Sequence, residues 1–205
     1  MGLSAGQIRD HLDAVAADDP RIARALAIAG YPEPRIRERS HRTLLRTIVG
    51  QQVSVASADS VWNKLEAEIG SEMAPERIVE ADYDALRACG LSRQKQGYAR
   101  SLCELVAAGE LDLEKLPEDD EDAIAQLIRI KGIGRWSAEI YLLFAEGRPD
   151  IWPAGDLAVQ AGIGKIIELE ERPGEKETRA LAENWRPHRG AVAILTWHTY
   201  NNPAL

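Results

Sequence analysis

The sequence predicts an all-α protein, and three observations carry that prediction. Apolar residues recur at the i, i+3, i+4, i+7 spacing of one helix face through most of the 205-residue chain. No long alternating run of Val, Ile, Thr and Tyr occurs, and neither Asn-Gly nor Asp-Gly is present, so the usual hairpin signals are missing. Ser, Asp, Pro and Gly stand where the apolar runs begin and end, as helix start and stop signals should.

In chain order, helices are expected at about residues 5–17 and 20–29, the second entered at Pro20 and closed at Gly30. Ser40 can cap a helix carrying Leu44, Leu45, Ile48 and Val49. After Ser54, the residues Val55, Ala58, Val61, Trp62, Leu65 and Ile69 follow one face and stop at Gly70, a natural residue just past a helix end. Ser92 can cap a helix carrying Tyr98, Ala99, Leu102, Leu105 and Val106 that ends near Gly109. Asp119 to Asp122 place carboxylates in the first turn of a helix with Ile124, Leu127 and Ile128, where the helix dipole favours them. A further helix carries Trp136, Ile140, Tyr141, Leu143 and Phe144. Gly162 and Gly164, among Ile163, Ile166 and Ile167, read as a buried helical region with a break. Pro187 suits the first position of a last helix with Ala191, Ile194, Leu195 and His198. The total is roughly ten short helices, with no internal repeat and no low-complexity linker.

Composition narrows the function. With 45% hydrophobic and 28% charged residues the chain is long enough to bury a core. Its hydrophobic runs are short, and Met1-Gly2-Leu3-Ser4-Ala5 has neither a basic stretch nor an apolar one, which predicts a cytoplasmic protein with no membrane span or secretion signal. Cys89 and Cys103 are too few for a disulfide framework, a four-thiolate zinc site or a cysteine-ligated iron–sulfur cluster. His11, His41, His188 and His198 are too scattered for a zinc motif. The formal net charge of −8 speaks at first against a nucleic-acid partner. Residues 110–122, however, hold eight carboxylates against Lys115, a local −7 that leaves −1 for the rest of the chain. Residues 31–46 are basic, with Arg35, Arg37, Arg39, Arg42 and Arg46 against Glu33 and Glu38. The acidic run reads as a solvated loop and helix start.

The chemistry concentrates around Ile130-Lys131-Gly132-Ile133-Gly134, which lies between two helices. Two glycines two apart permit a tight turn with positive φ and let backbone amides approach a ligand. Amides at the start of the following helix form an anion site that suits a phosphate of any sequence, with Lys131 and Arg135 adding positive charge.

The stretch from Leu127 to Ala138, L-I-R-I-K-G-I-G-R-W-S-A, resembles the helix–hairpin–helix of the HhH-GPD DNA glycosylase superfamily, in which a Gly/Pro-rich loop and an Asp follow. Here that loop and aspartate are Ile151-Trp152-Pro153-Ala154-Gly155-Asp156, leading into Leu157-Ala158-Val159. Upstream, Leu45 to Ser54 (L-R-T-I-V-G-Q-Q-V-S) is similar to the helix and Gln-rich turn of the 3-methyladenine DNA glycosylase II type, and Asn184 to Trp197 resembles that type's closing helix. With only about forty residues before the first matched block, the chain resembles the compact form without the N-terminal β domain.

The resemblance implies a two-lobed helical fold with the active-site cleft between the lobes. One lobe would span residues 40–118; the other would combine 1–39 with 119–205 and carry both the hairpin, about 127–138, and the aspartate. It implies a monofunctional glycosylase that acts as a monomer on double-stranded DNA, flips out an alkylated purine of the 3-methyladenine or 7-methylguanine type and hydrolyses the N-glycosidic bond. Asp156 is the implied catalytic residue, although an Asp here also suits the N-cap of a helix from Leu157, and the roles can coexist. Trp136 and Trp197 match pocket positions, with Tyr141 behind them. Ile140 stands where some relatives place an aromatic, which implies a more open pocket. Gln51 and Gln52 would fill the vacated space or contact the opposite strand, and Lys131, Gly132, Gly134 and Arg135 would hold the backbone. Bifunctional members carry a lysine two residues after the second hairpin glycine; Trp136 stands there, so no strand cleavage is expected. The resemblance also implies a K+ or Na+ held by the backbone carbonyls of Ile128, Ile130 and Ile133, and no other cofactor. A non-catalytic helix–hairpin–helix module that binds DNA is the alternative. On either reading the acidic segment should face away from DNA, with Lys131, Arg135 and the hairpin amides opposite.

Overall fold

The computed structural model describes residues 2–200. Its helices are α1 (Ala5–Asp18), α2 (Pro20–Ala29), α3 (His41–Gly50), α4 (Val55–Ile69), α5 (Pro75–Glu80), α6 (Tyr83–Ala88), α7 (Arg93–Ala107), α8 (Asp120–Leu127), α9 (Arg135–Tyr141), α10 (Leu157–Ile166), α11 (Glu175–Ala182) and α12 (Arg189–Thr199). A π-helical turn (Leu142–Glu146) and a 3-10 turn (Glu183–Trp185) complete the regular structure, and no strand occurs among the described residues. The fold is therefore all-α, as the periodicity predicts. None of these helices is long and apolar enough to cross a membrane.

The chain forms two units, one made of the residues up to Arg37 together with those from Leu142 onward, the other of Glu38–Tyr141. In the first unit, α1 starts with a capping box: the Ser4 hydroxyl accepts from the Gln7 amide while the Gln7 side chain accepts from the Ser4 amide. Its buried stripe, Ile8, Leu12 and Val15, packs on α2 and α12. Asp19 caps α2 through the Arg21 amide, and its carboxylate also accepts from the Arg21 guanidinium and the buried Trp185 indole. The Arg21 hydrogen bond holds this carboxyl down to about 2. α10 lies so close to α12 that a Cβ on Gly162 would stand 2.7 Å from the Thr196 carbonyl oxygen. The start of α12 is anchored by the buried Arg189, which donates to both oxygens of Asp150 (2.8 and 2.9 Å) and to Glu183 (3.0 Å). Losing a partner there would strand a buried charge.

The second unit is built around α7, whose Gln96, Ala99, Leu102 and Cys103 are buried and against which α3, α5 and α6 pack. Ser54 and Ser92 cap α4 and α7 through the amides of Ser57 and Lys95, and Asp119 caps α8 through those of Glu121 and Asp122.

Several expectations need correction. The hairpin belongs to the Glu38–Tyr141 unit and not with the chain ends, because its turn is bonded to α7 and to the residue closing α3: the Lys131 amide donates to the Ser101 hydroxyl and Gln51 donates to the Gly132 carbonyl. Pro187 is not the first residue of α12, which starts at Arg189; the His188 amide still donates back to the Trp185 carbonyl, so the chain is turning there. Ser40 precedes α3 without a capping bond. α10 runs unbroken through Gly162 and Gly164, which serve close packing rather than a break. The short helices α5, α6 and α11 have no counterpart in the periodicity.

Candidate functional site

In the first unit the site is built on the loop Ile151–Asp156 and the start of α10. The loop is pinned from within: the Ala154 amide donates to the Trp152 carbonyl at 2.8 Å, and the Asp156 amide to the Pro153 carbonyl at 2.9 Å. The buried Gln160 side chain donates to the Ala154 carbonyl and accepts from Arg172. Asp156 is the N-cap of α10, its Oδ1 accepting from the amides of Ala158 (2.8 Å) and Val159 (3.0 Å). The same oxygen accepts from the indole N–H of Trp197 on α12 at 3.2 Å. Three N–H groups on one oxygen fix the orientation of the carboxylate, which as an ionised group can only accept. Trp197 also packs against Phe144, ring centres 5.4 Å apart, and is partly exposed.

The four tryptophans of the last third thus fall into two kinds. Trp152 and Trp185 are buried, meet edge-to-face at 5.6 Å and bond inward to Thr178 and Asp19. Trp197 stands beside Asp156, and Trp136, in the second unit, is 44% exposed. Ile140 and Tyr141, at the end of α9, are buried.

In the second unit, α8, the turn and α9 form the helix–hairpin–helix. Buried Ile130 and Ile133 anchor the turn, and the Ile133 amide donates to the Ile130 carbonyl at 3.0 Å. Gly132 has φ +83°, and a Cβ there would lie 2.2 Å from the Tyr98 ring, so both backbone and packing demand glycine. Gly134 has ordinary backbone and open space around its Cα. Lys131 is exposed. The Gln51 side chain donates inward to the Gly132 carbonyl at 2.8 Å, whereas Gln52 is exposed in the left-handed conformation, φ 57°.

Arg135 departs from expectation. Its guanidinium is forked on Glu121, from the acidic run, and its Nε donates to buried Glu139 at 3.0 Å. The hydrogen bond it donates to Glu121 is the chief reason its pKa is raised. The acidic segment therefore does not lie opposite Arg135; one of its carboxylates neutralises that residue, and Glu110 pairs with Arg129 likewise.

Sequence reasoning missed Ser101, Tyr98, Glu121 and Lys95 as supports of the hairpin and its neighbouring turn. Lys95 donates to the Val49 carbonyl at 2.7 Å. The histidines are less scattered than their numbering: His11 and His188 meet Nδ1 to Nδ1 at 2.7 Å. No group of three or more His, Cys, Asp or Glu that could hold a metal occurs among the described residues.

The profile of the HhH-GPD superfamily of base excision DNA repair proteins matches residues 45–187. DNA-3-methyladenine glycosylase 1 of Schizosaccharomyces pombe is 31% identical over 163 residues, 78% of this chain and 72% of that protein. Of solved structures, the Bacillus halodurans DNA-3-methyladenine glycosidase superposes with a TM-score of 0.87 at 29% identity, covering 95% of this chain and 90% of that one. The S. pombe 3-methyladenine DNA glycosylase in complex with abasic DNA gives 0.79 at 28% identity over 93% and 96% of the two chains. A Bacillus subtilis relative is longer, and the chain spans 58% of its length.

Proposed function

Since the chain belongs to the HhH-GPD superfamily of base excision DNA repair proteins, we propose that it is a monofunctional DNA glycosylase that removes alkylated purines of the 3-methyladenine and 7-methylguanine type. The observation that carries this reading is the seat of Asp156, held by two amides and the Trp197 indole beside that aromatic ring.

Breaking the bond between C1′ and the base nitrogen develops positive charge on the sugar. A carboxylate already oriented for that charge stabilises the transition state without reorganising, and it can orient or deprotonate the attacking water. Asp156 takes this role while capping α10. The alkylated base is cationic and leaves without a general acid; an indole face attracts such a ring, which assigns stacking to Trp197 and Trp136. Reaching the pocket requires the nucleotide to leave the duplex, at a cost of a few kcal/mol. Ile140 in place of an aromatic favours a pocket open to substrates beyond 3-methyladenine.

Backbone binding falls to the hairpin, where the amides of Gly132 and Gly134 and the Lys131 ammonium suit a phosphate. A monovalent cation, K+ or Na+, suits a donor set of main-chain carbonyls at Ile128, Ile130 and Ile133. Ile130 accepts one amide and keeps a second lone pair. When bound, the ion would supply positive charge toward a DNA phosphate. With Trp136 where strand-cleaving members carry lysine, no side-chain amine stands there to attack the sugar, so the product is an intact strand with an abasic site. The enzyme acts as a monomer in the cytoplasm and needs no further cofactor.

The test is release of free base from methylated duplex DNA. Wild type should release it, and Asp156→Asn, which keeps the capping oxygen, should be slower by about 10²-fold or more. DNA binding without release by wild type would favour a non-catalytic module instead.

A further inference from the structure

The face of α7 formed by Lys95, Tyr98 and Ser101 touches two separate turns. Residues three apart on a helix stand one above another. Lys95 donates to the Val49 carbonyl in the last turn of α3, two residues before Gln51. Tyr98 lies against Gly132, closely enough that no Cβ fits between them. Ser101 accepts from the Lys131 amide at 3.1 Å. Gln51 then closes the circuit, its side chain spanning from the α3 turn to the Gly132 carbonyl, 81 residues away, at 2.8 Å.

We infer that Lys95, Tyr98, Ser101 and Gln51 are positioning residues that lock the Gln51–Gln52 turn and the hairpin into one rigid element, with Gln52 the member presented to DNA. The inference rests on the glycosylase reading for its consequence and on geometry for its existence. An exposed glutamine held at φ 57° is a strained presentation that its surroundings must fix. The Lys95 ammonium does so from one side, satisfying a helix-terminal carbonyl that has no partner within α3; burial lowers its pKa, as expected of a lysine placed for structure rather than for solvation. Gln51 does so from the other. If the hairpin grips one phosphate while Gln52 enters near the flipped nucleotide, the distance between the two turns sets how that nucleotide's backbone is held. A misplacement of about 1 Å can cost about 10²-fold in rate.

The experiment compares wild type with Gln51→Ala, Ser101→Ala, Lys95→Met and Lys95→Arg. Without DNA, hydrogen exchange of residues 127–138 should accelerate in Gln51→Ala and Ser101→Ala. With DNA, single-turnover release of 7-methylguanine by Gln51→Ala should fall by about tenfold or more. Its affinity for undamaged duplex should stay within about twofold of wild type, and its salt slope should not change, because no phosphate contact is lost. Lys95→Met should follow Gln51→Ala, and Lys95→Arg, which keeps a donor, should recover most of the rate. Unchanged exchange in residues 127–138 would overturn the brace. So would a Gln51→Ala variant whose undamaged-DNA affinity falls as far as its rate, since Gln51 would then be a DNA contact. Failure of the glycosylase reading shows separately, as a wild type that releases no base, and the exchange measurement then still decides whether the two turns are locked.

Discussion

The indole N–H of Trp197 donates to Oδ1 of Asp156, joining the last helix to the cap of α10 across 41 residues. On the proposed function, a tryptophan that stacks on the base and also holds the carboxylate would tie recognition to chemistry in one side chain. Trp197→Phe keeps an aromatic face and loses the donor. A hydrogen bond to a charged group contributes about 1.5–3 kcal/mol, so single-turnover base release should drop by roughly tenfold or more with modest change in substrate affinity. Trp197→Ala should lose affinity as well. Equal rates for Trp197→Phe and wild type would show that the hydrogen bond does not serve catalysis.

Arg135 is occupied by Glu121 and Glu139, not held ready for phosphate. In Glu121→Gln the fork loses its charged partner, and the guanidinium can turn to DNA. Affinity for undamaged duplex should rise a few-fold at low salt, and the slope of log K against log salt should steepen by up to about 0.9, one phosphate contact. Anisotropy titrations across a series of KCl concentrations measure both. An unaltered slope would mean that Arg135 stays clasped to Glu139 in the complex.

The two hairpin glycines should respond differently to alanine. At Gly132 the backbone is left-handed, which costs an L-residue about 1–2 kcal/mol, and the methyl would overlap Tyr98. Gly132→Ala should therefore lower the denaturation midpoint and weaken DNA binding together. Gly134→Ala meets open space and should stay within about 0.5 kcal/mol of wild type in stability. Equal midpoints for the two variants would contradict this geometry.

Acid should loosen the contact between α1 and the start of α12. Burial, then the neighbouring His188, lowers the pKa of His11, with Asp10 opposing. Between the ordinary histidine value of 6.5 and the lowered folded value the unfolded chain binds more protons than the folded one, so stability falls as pH drops from 6.5 through that window. Melting temperature measured between pH 7.5 and 5.5 should decline more steeply for wild type than for His11→Asn. Parallel curves would exclude the pair as the source.

Much of the fold was legible because its signals are local. Ser54 and Ser92 cap helices whose apolar stripes lie within the next fifteen residues, and Gly70 closes one of them. The six-residue helices α5 and α6 span less than two turns, too few for a period to register, and α11 buries only Thr178 and Ala182. At the site, Asp156 could be placed as both cap and carboxylate from its neighbours, while its bond to Trp197 depends on packing between distant helices. The pairing of Arg135 with Glu139 is an i,i+4 spacing open to inspection, but Glu121 lies in a run of carboxylates any of which could have been solvated. The brace on α7 was invisible because Lys95, Tyr98 and Ser101 act on backbone atoms, which carry no residue signature.

The first unit is made from two separate stretches, and the second is the continuous stretch between them. During synthesis α1 emerges long before α12, against which it packs, so its buried stripe stays uncovered on that side until the second unit has been made. The middle stretch carries its own buried core around α7 and is complete at Tyr141, before α12 has been made. The carboxylate and the indole that holds it are therefore brought together only after the hairpin has been completed.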